Sequence, residues 1–491
     1  MAKKNDKNAE VVLNETVDET SENQEEKDLQ TEQSAKSEQA DDKTAKGKKE
    51  KKKRVKRKDL PPEERKRLLK RDLIITGSVL GGVLLFFIIL IIISAAGKSA
   101  NFKKAASMAK VGTRFSEIST PADKTAATEK TFFWDDELKC YTFVTPSDDP
   151  ATTDVDESEF RVLQLTDVHI GAGAFSAKKD AWALEAVAET VRKAKPDLVV
   201  VTGDVAYPVP FQAGTFNNQK EAEMFATLMD SLGVYWTMSF GNHDTEIYSL
   251  YTREEIVERV YTQNKWKYCL FTPGPTNIDG KGNQLINVQT ANGEITQSLY
   301  LIDSHSYTDG DYFGIAWKYD KIHDNQVAWY ADSVKKVNDT NTARGFSNDV
   351  KSLMFFHIPL VQFQTAWNEF VANGHKNTEN VTYYYGMAGE KGEKCYPGKA
   401  DGKMFDKIYE LGSTKGVFCG HDHYNNFSID YKGVRLTYGM SIDYLAYAGI
   451  YKKIAQRGGT LILTKTNGTF DVKPIAYQID DMRYMNYYNQ D

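Results

Sequence analysis

The sequence predicts an α/β chain that folds as a four-layer α/β/β/α sandwich, preceded by a disordered tail and one transmembrane helix. Short apolar strands alternate with helical stretches from Phe160 to Phe240, and strands become closely spaced after residue 284. This pattern favours two packed sheets with helices outside them. The predicted regions are residues 1–72, a cytoplasmic tail with a basic block; 73–96, the transmembrane helix; 97–158, a stalk and the segment leading into the domain; and 159–491, the folded domain.

The tail divides into an acidic and a basic stretch. Residues 1–42 contain 13 acidic and 5 basic residues, with too little apolar surface to offset the entropy of folding, so they are predicted to be disordered. Residues 43–71 contain 16 lysines and arginines. A nucleic-acid contact is the alternative for this block. Because the block is short, lacks interleaved aromatic residues and adjoins an apolar run, contact with anionic lipid is favoured and no nucleic-acid partner is expected.

The run Leu73–Ala96 has 24 residues without a charge. About 20 apolar residues span a bilayer core as a helix. A cleaved signal peptide is the alternative, but its apolar region is shorter, about 7–15 residues. Sixteen basic residues precede the run and five follow it between Lys98 and Arg114, which predicts a single-pass cell-membrane protein with a cytoplasmic N-terminus and an extracytoplasmic domain. Gly77 and Gly81 form a GxxxG motif that permits a weak homodimer, although glycine is common in membrane helices.

Four cysteines follow the apolar run, at Cys140, Cys269, Cys395 and Cys419. An extracytoplasmic compartment permits disulfides. Four cysteines allow three complete pairings, and the sequence does not choose among them. None lies in a CxxC motif, which disfavours a cysteine zinc site.

Apolar periodicity predicts the elements of the domain. Lys130 to Val144 is aromatic enough for a strand or hairpin that packs on the domain. The predicted helices are Ala177–Ala194, Gln219–Leu232, Asn325–Val337 and Met404–Leu411. The predicted strands are Arg161–Thr166, Leu198–Thr202, Val234–Phe240, Gln284–Thr290, Gln297–Asp303, Lys351–Phe356, Gly416–Cys419, Phe427–Tyr431, Val434–Tyr438, Thr460–Thr464 and Thr469–Ile475.

Polar side chains follow five of these strands. Loops at the carboxyl ends of strands are where α/β sheets place ligand sites. Alone, each motif is more often a surface turn or a capping residue, but all five in this order, each after an apolar strand, predict a metal site. The motifs are Asp167-Val-His169, Gly203-Asp204, Gly241-Asn242-His243-Asp244, His357 and Gly420-His421-Asp422-His423.

Phosphate esters suit this set of residues. Their negative oxygens repel a nucleophile, and two metals about 3.5–4 Å apart stabilise both the attacking and the leaving oxygen. A metal also lowers the pKa of bound water towards about 7. Imidazole suits zinc and iron, whereas carboxylate and amide oxygens suit manganese. The sequence therefore predicts two metal ions, drawn from iron, zinc and manganese, and a phosphate-ester substrate.

The motifs resemble those of the calcineurin-like metallophosphoesterase superfamily over roughly residues 160–477, and the tract from Leu436 to Tyr447 resembles its purple-acid-phosphatase-like branch. The resemblance implies the four-layer fold, two metals and phosphoester hydrolysis. It implies that Asp204 bridges the two metals and that His243 faces the leaving group, with Asp244 orienting His243. The implied ligands are Asp167, His169, Asp204 and His423 for one metal, and Asp204, Asn242, His357 and His421 for the other.

One departure from the family pattern concerns Tyr207. Gly203 to Tyr207 matches the GDxxY of purple acid phosphatases, where a tyrosine ligates ferric iron, but those enzymes usually have DxG where this chain has Asp167-Val-His169. His169 and Tyr207 would compete for one coordination position. Imidazole needs no deprotonation at neutral pH, whereas phenol has a pKa near 10. His169 is therefore the predicted ligand and Tyr207 a nearby wall residue.

The predicted function is a membrane-anchored, extracytoplasmic phosphoesterase that uses metal-activated hydroxide, with His243 as general acid and monoesters favoured. The alternatives are a phosphodiesterase of the same fold and a non-catalytic surface binding module. The insert Val361–Lys399 is expected to be either a substrate lid or an aromatic patch of the core. His305 is expected either beside the metal ligands or in a plain turn.

Overall fold

The computed structural model describes residues 57–118, 130–146, 159–399, 402–450, 457–478 and 488. The predicted disordered tail, residues 1–42, and residues 43–56 of the basic block lie outside these residues. The helices are α1 Pro62–Ala106, α2 Ala177–Ala194, α3 Asn218–Leu232, α4 Arg253–Ile256, α5 Asp324–Ala343, α6 Val361–Ala372 and α7 Met404–Leu411.

The strands form one ten-stranded and one five-stranded sheet, ordered β1-β2-β3-β7-β8-β9-β11-β13-β12-β10 and β15-β14-β4-β5-β6. The strands are β1 Ser116–Glu117, β2 Thr131–Asp135, β3 Cys140–Thr145, β4 Phe160–Leu165, β5 Leu198–Thr202, β6 Tyr235–Ser239, β7 Gln284–Thr290, β8 Ile295–Leu301, β9 Lys351–Phe355, β10 Val381–Tyr385, β11 Thr414–Cys419, β12 Ser428–Tyr431, β13 Val434–Tyr438, β14 Gly458–Thr464 and β15 Phe470–Ala476.

The two sheets share one hydrophobic core. Side chains of a strand alternate between its two faces, and Phe355 of β9 packs with Val162 of β4 in the core that also takes in α2 and α3. Its neighbour Met354 points the other way, into a second core with Trp367 of α6 and Ile408 of α7. The layers are therefore helix, five-stranded sheet, ten-stranded sheet and helix, and the predicted four-layer sandwich is confirmed.

The predicted strands and helices are present, with ends that mostly shift by one or two residues. The hairpin expected between Lys130 and Val144 is β2 and β3, which pair antiparallel. The insert after Val361 forms α6 and β10, and its Trp367 and Tyr383 are buried in the second core. This part of the insert is thus an aromatic patch of the core.

The segment expected to be a stalk differs in the structure. Helix α1 continues through Ala106, and the buried Ala105 and Phe115 belong to the core between the sheets. The side-chain amide of Asn101 donates to the carbonyl of Ala177 at 2.8 Å. A few anchoring residues therefore join residues 101–118 to the folded domain, in spite of a composition dominated by alanine, lysine and serine.

Helix α1 is long and apolar enough to cross a membrane, with a mean hydropathy of 3.0 in its most apolar 18-residue window, none of which is buried. It has 45 residues, and each residue adds about 1.5 Å to its length. The helix is therefore longer than the hydrocarbon core of a bilayer is thick, which is roughly 30 Å. The charged ends of the helix extend beyond the apolar run. All four cysteines are free thiols.

Candidate metal centre

The strand order of both sheets brings the five motifs to one edge. Strands β4, β5 and β6 are parallel neighbours, and β9 and β11 are parallel neighbours in the other sheet. Their carboxyl ends meet, and the seven predicted ligands lie together at this edge. All seven are buried, with exposed fractions of 7% or less, namely Asp167, His169, Asp204, Asn242, His357, His421 and His423.

The backbone at this edge is unusual. Asp167, His169, Asp204 and His421 have φ angles between 51° and 81°, in the left-handed region that non-glycine residues rarely adopt. Strain of this kind concentrates at functional sites, where the surrounding structure holds it in place. A Cβ atom on Gly241 would lie 2.2 Å from Oδ1 of Asp204, so only glycine allows the third motif to approach the second.

The first group contains Asp167, His169, Asp204 and His423, whose ligand atoms all lie within 4.8 Å of one another. Nε2 of His169 is 3.1 Å from Nε2 of His423 and 3.7 Å from Oδ2 of Asp204. Nε2 of His423 is 3.4 Å from Oδ1 of Asp167. These four residues are the set implied for the first metal.

The second group shares Asp204 with the first. Nε2 of His357 is 3.1 Å from Oδ2 of Asp204 and 3.1 Å from Oδ1 of Asn242. Nδ1 of His421 is 3.3 Å from Nε2 of His357. Asp204 therefore faces both groups.

The hydrogen bonds around these groups leave unprotonated imidazole nitrogens and carboxylate oxygens facing one another. Nδ1 of His357 lies 2.8 Å from the carbonyl of Thr202 and donates to it, so Nε2 of the neutral ring carries a lone pair. Nδ1 of His423 lies 2.9 Å from Oδ2 of Asp443, so Nε2 of the neutral His423 ring likewise carries a lone pair. Oδ2 of Asp204 is buried without a hydrogen-bond donor. Such an arrangement is costly unless cations lie between the acceptors, so these residues fit a pair of metal ions.

The acidic ligands are ionised at neutral pH. Burial raises the pKa of Asp204, but the positive charge of His357 and His243, when their rings are protonated, outweighs burial and lowers the pKa below its ordinary value. Burial likewise raises the pKa of Asp167, and His423 together with His169 lowers it well below the ordinary range. Carboxylates must be deprotonated to bind a metal, so both are ready to act as ligands.

His243 stands at the edge of the ligand groups with 26% of its side chain exposed. Its backbone amide donates to Oδ1 of Asp204 at 2.8 Å. Its Nδ1 lies 2.6 Å from Oε1 of Glu246, whose side chain is buried. Tyr307 donates to the same carboxylate oxygen at 3.2 Å. The ring of His243 is thus fixed on one side by Glu246.

Asp244 does not orient His243, contrary to the expectation from the family resemblance. Its carboxylate accepts hydrogen bonds from the backbone amides of Asp204 at 3.0 Å, Ala206 at 2.9 Å and Gly241 at 2.7 Å. It therefore holds the second and third motifs together. The orienting contact belongs to Glu246, which sequence reasoning missed because it lies in a loop without a recognisable pattern.

Tyr207 lies beside the first group without joining it. Its ring meets the ring of His169 edge-on at 4.9 Å, and its hydroxyl donates to Oε1 of Gln212 at 2.8 Å. Burial raises the pKa of this phenol above its ordinary value. A protonated hydroxyl directed to Gln212 is a poor metal ligand, which agrees with the choice of His169.

A buried ion pair supports the third motif. The Arg253 guanidinium donates to both carboxylate oxygens of Asp303, at 2.5 and 2.7 Å, and to the carbonyl of Gly241 at 3.0 Å. His305 lies apart, with Nε2 2.9 Å from Oε1 of Gln326 and its ring stacked on His323 at 4.0 Å. Asp303, rather than His305, is therefore the residue of this strand end that supports the metal site.

A cavity of about 460 Å³ opens over the site. His243, His421 and His423 line its floor, so a bound ligand would meet the metal ligands and His243 at once. Half of the remaining lining residues are aromatic, and the set consists of Tyr307, Gly314, Trp317, Tyr319, Glu390, Tyr396, Asp422, Ala446, Tyr447 and Ala448.

The chain is similar to several known proteins. The chain is 29% identical over 323 residues to "Probable inactive purple acid phosphatase 14" of Arabidopsis thaliana, covering 60% of this chain and 73% of the relative. It is 27% identical over 293 residues to "Phosphatase DCR2" of Saccharomyces cerevisiae, covering 56% of this chain and 46% of that protein. A crystal structure of a dimetal phosphatase from Danio rerio aligns with a TM-score of 0.40 at 10% identity, over 65% of this chain and 99% of the other.

The sequence profile of the calcineurin-like phosphoesterases matches residues 160–425, which is more than half of the 491-residue chain. The matched range contains all five motifs. The chain therefore belongs to the calcineurin-like phosphoesterase family and is a hydrolase of phosphoric ester bonds.

Proposed function

We propose that this chain is a membrane-anchored phosphatase that hydrolyses phosphate monoesters at a two-metal centre outside the cytoplasm. The observation that carries the proposal is the convergence of seven buried ligand side chains on two groups that share Asp204. Their acceptor atoms face one another at distances that a metal pair would satisfy. Phosphoryl transfer is a reaction that such a pair accelerates.

The ligand assignment follows the two groups. Asp167, His169, Asp204 and His423 hold the first metal, and Asp204 is shared with the second. The other ligands of the second metal are Asn242, His357 and His421. A set of imidazole, carboxylate and amide ligands suits iron, zinc or manganese.

When bound, the metal pair supplies Lewis-acid stabilisation of the phosphoryl oxygens and a nucleophile derived from water. The chain's own residues supply the proton and hold the proton donor in position. The oxygen of water adds to phosphorus and one water proton passes to solvent, while the ester P–O bond breaks and His243 gives a proton to the departing alkoxide. The contact with Glu246 favours the protonated ring that this step needs and fixes its direction. The products are an alcohol and inorganic phosphate, and solvent returns the proton to His243.

Anchoring is proposed from helix α1 and the charges that flank it. We place residues 1–72 in the cytoplasm, residues 73–96 in the bilayer and the catalytic domain, from residue 159, outside, with residues 97–158 leading into it. The 16 basic residues before the span favour this orientation. Protease added to intact cells should cut beyond residue 97 and spare the acidic tail. Protection of the catalytic domain would contradict the orientation, and a free chain that begins near residue 97 would contradict the anchor.

The test of the catalytic proposal compares p-nitrophenyl phosphate with bis(p-nitrophenyl) phosphate. The full-length chain in detergent, loaded with manganese or zinc, should have the higher kcat/KM for the monoester. Asp204→Asn, which alters the shared ligand, should abolish both activities. A preference for the diester would favour a phosphodiesterase of the same fold.

Three of the Arabidopsis thaliana relatives carry the word "inactive" in their names, so the same assay also tests a non-catalytic binding module. Metal binding without hydrolysis of either ester would favour that function. A complete set of seven ligands in one place supports the active enzyme.

A further inference from the structure

The cavity over the metal centre has aromatic side chains on several sides. Tyr307 stacks on Tyr319 with ring centroids 5.6 Å apart. Trp317 meets Tyr396 edge-on at 6.3 Å. On another side, Tyr447 stacks on the ring of His423 at 4.3 Å. The leaving group of a bound ester would therefore lie among ring faces and edges.

One carboxylate joins this aromatic wall, and the proposed reaction does not use it. Glu390 lines the cavity, and its Oε1 accepts hydrogen bonds from the hydroxyl of Tyr447 at 3.1 Å and from the amide of Tyr424 at 3.2 Å. Both contacts hold the same oxygen, so the side chain is fixed next to the Tyr447 ring. A fixed carboxylate beside aromatic rings favours a cation.

The other charges of the wall point to the same ligand class. Asp422 is already occupied, because it accepts from the hydroxyl of Tyr438 at 2.6 Å and from the amide of Tyr396 at 3.0 Å. Among the described residues that line the cavity, none is a lysine or an arginine. No lysine or arginine among these described residues would therefore attract a second anionic group, and Glu390 repels one.

We propose that this wall binds a cationic group on the leaving alcohol, so that the substrates are phosphate esters of amino alcohols, such as an alkylammonium or quaternary ammonium ethyl ester. This inference rests on the proposed phosphatase function and specifies its substrate class. The phosphoryl group lies at the metal centre, and the ammonium group lies against Trp317, Tyr396 and Tyr447 with Glu390 beside it. Aromatic rings attract such cations through the negative potential of their faces.

A flat neutral leaving group, such as a nucleoside, is the alternative that aromatic rings alone would allow. Stacking on Trp317 or Tyr447 would need no carboxylate. The two classes differ in the part played by Glu390, whose charge attracts an ammonium group and contributes nothing to stacking. Replacement of Glu390 by its neutral isostere therefore separates them.

The kinetic experiment uses the metal-loaded full-length chain and two esters of the same shape. Phosphocholine is compared with the ester in which a tert-butyl group replaces the trimethylammonium group. The ratio of their kcat/KM values should favour phosphocholine about tenfold, the size of a partly desolvated cation–π contact. In Glu390→Gln the ratio should fall to the smaller value that the aromatic rings alone provide. The control Glu379→Gln, an exposed residue that lines a different cavity, should keep the ratio.

A binding measurement gives the same comparison without catalysis. Calorimetry with the metal-loaded chain should show that choline binds about tenfold more tightly than its tert-butyl analogue, and that Glu390→Gln reduces the difference. Failure to hydrolyse any ester would refute the proposed function, while the binding comparison would still decide this inference. Equal binding of the two alcohols, an unchanged ratio in Glu390→Gln, or a stronger preference for adenosine monophosphate would overturn it.

Discussion

Asp443 fixes the protonation of His423, a proposed metal ligand, and its replacement by asparagine should weaken the first metal site. Its Oδ2 accepts from Nδ1 of His423 at 2.9 Å, while its Oδ1 accepts from the backbone amides of Leu445 and Ala446 at 2.6 and 2.8 Å. Burial raises the pKa of Asp443, but the charge of His423 and the hydrogen bond from it outweigh burial and lower the pKa to about 2. The native carboxylate is therefore charged, and both of its oxygens accept hydrogen bonds.

The magnitude follows from these contacts. In Asp443→Asn the amide oxygen must keep the two backbone donors, so the amide nitrogen faces Nδ1 of His423 and two donors meet. His423 then loses its Nδ1 proton and carries the proton on Nε2, the atom that should bind the metal. Loss of such an outer contact typically costs 10–100-fold in metal affinity, about 1–3 kcal/mol.

The assay is metal content after dialysis against buffers that set the free metal concentration. Asp443→Asn should require about 10–100-fold more free metal to fill the first site. Asp430→Asn is the matched control, because Asp430 lies in β12 beside a separate cavity and should bind metal like the native chain. Native affinity in Asp443→Asn would refute the assignment of His423 as a ligand held by Asp443.

Three further outcomes are expected. His243→Ala should slow an alkyl phosphate by about 10²–10⁴-fold and p-nitrophenyl phosphate much less, since a good leaving group needs no proton; equal losses with metals retained would point to phosphate positioning instead. The isolated protein should show no purple phenolate–iron band, and a colour lost in Tyr207→Phe would contradict this. Arg253→Met should lower the free energy of unfolding by about 3–5 kcal/mol, because it leaves Asp303 buried without its partner. A urea concentration at the unfolding midpoint equal to that of the native chain would contradict this expectation.

The sequence predicted the parts of the site that directly follow strands. A run such as Leu198–Thr202 is recognisable as a strand because every residue is apolar or β-branched. Asp204 lies two residues after the end of this run. Parallel neighbours then bring such residues to one edge. The seven proposed ligand positions could be named for this reason.

The residues that were missed act from loops or from distant elements. Glu246, Arg253 and Asp443 have no periodic pattern around them, and each reaches the site through the tertiary fold. Asp443 lay within a tract noted only for its family resemblance. The core position of Trp367 was left open for a similar reason, because an aromatic residue between two motifs suits a lid as well as a core.

The most direct test of the account is the dependence of hydrolysis on metal stoichiometry. The full-length chain is stripped with a chelator, reloaded with zero, one or two equivalents of manganese, and assayed with p-nitrophenyl phosphate. The account predicts no activity without metal, full activity only after the second equivalent, and no recovery in Asp204→Asn at any equivalent. Hydrolysis by the stripped chain, or full activity of Asp204→Asn with two metals bound, would contradict a two-metal phosphoesterase that shares Asp204.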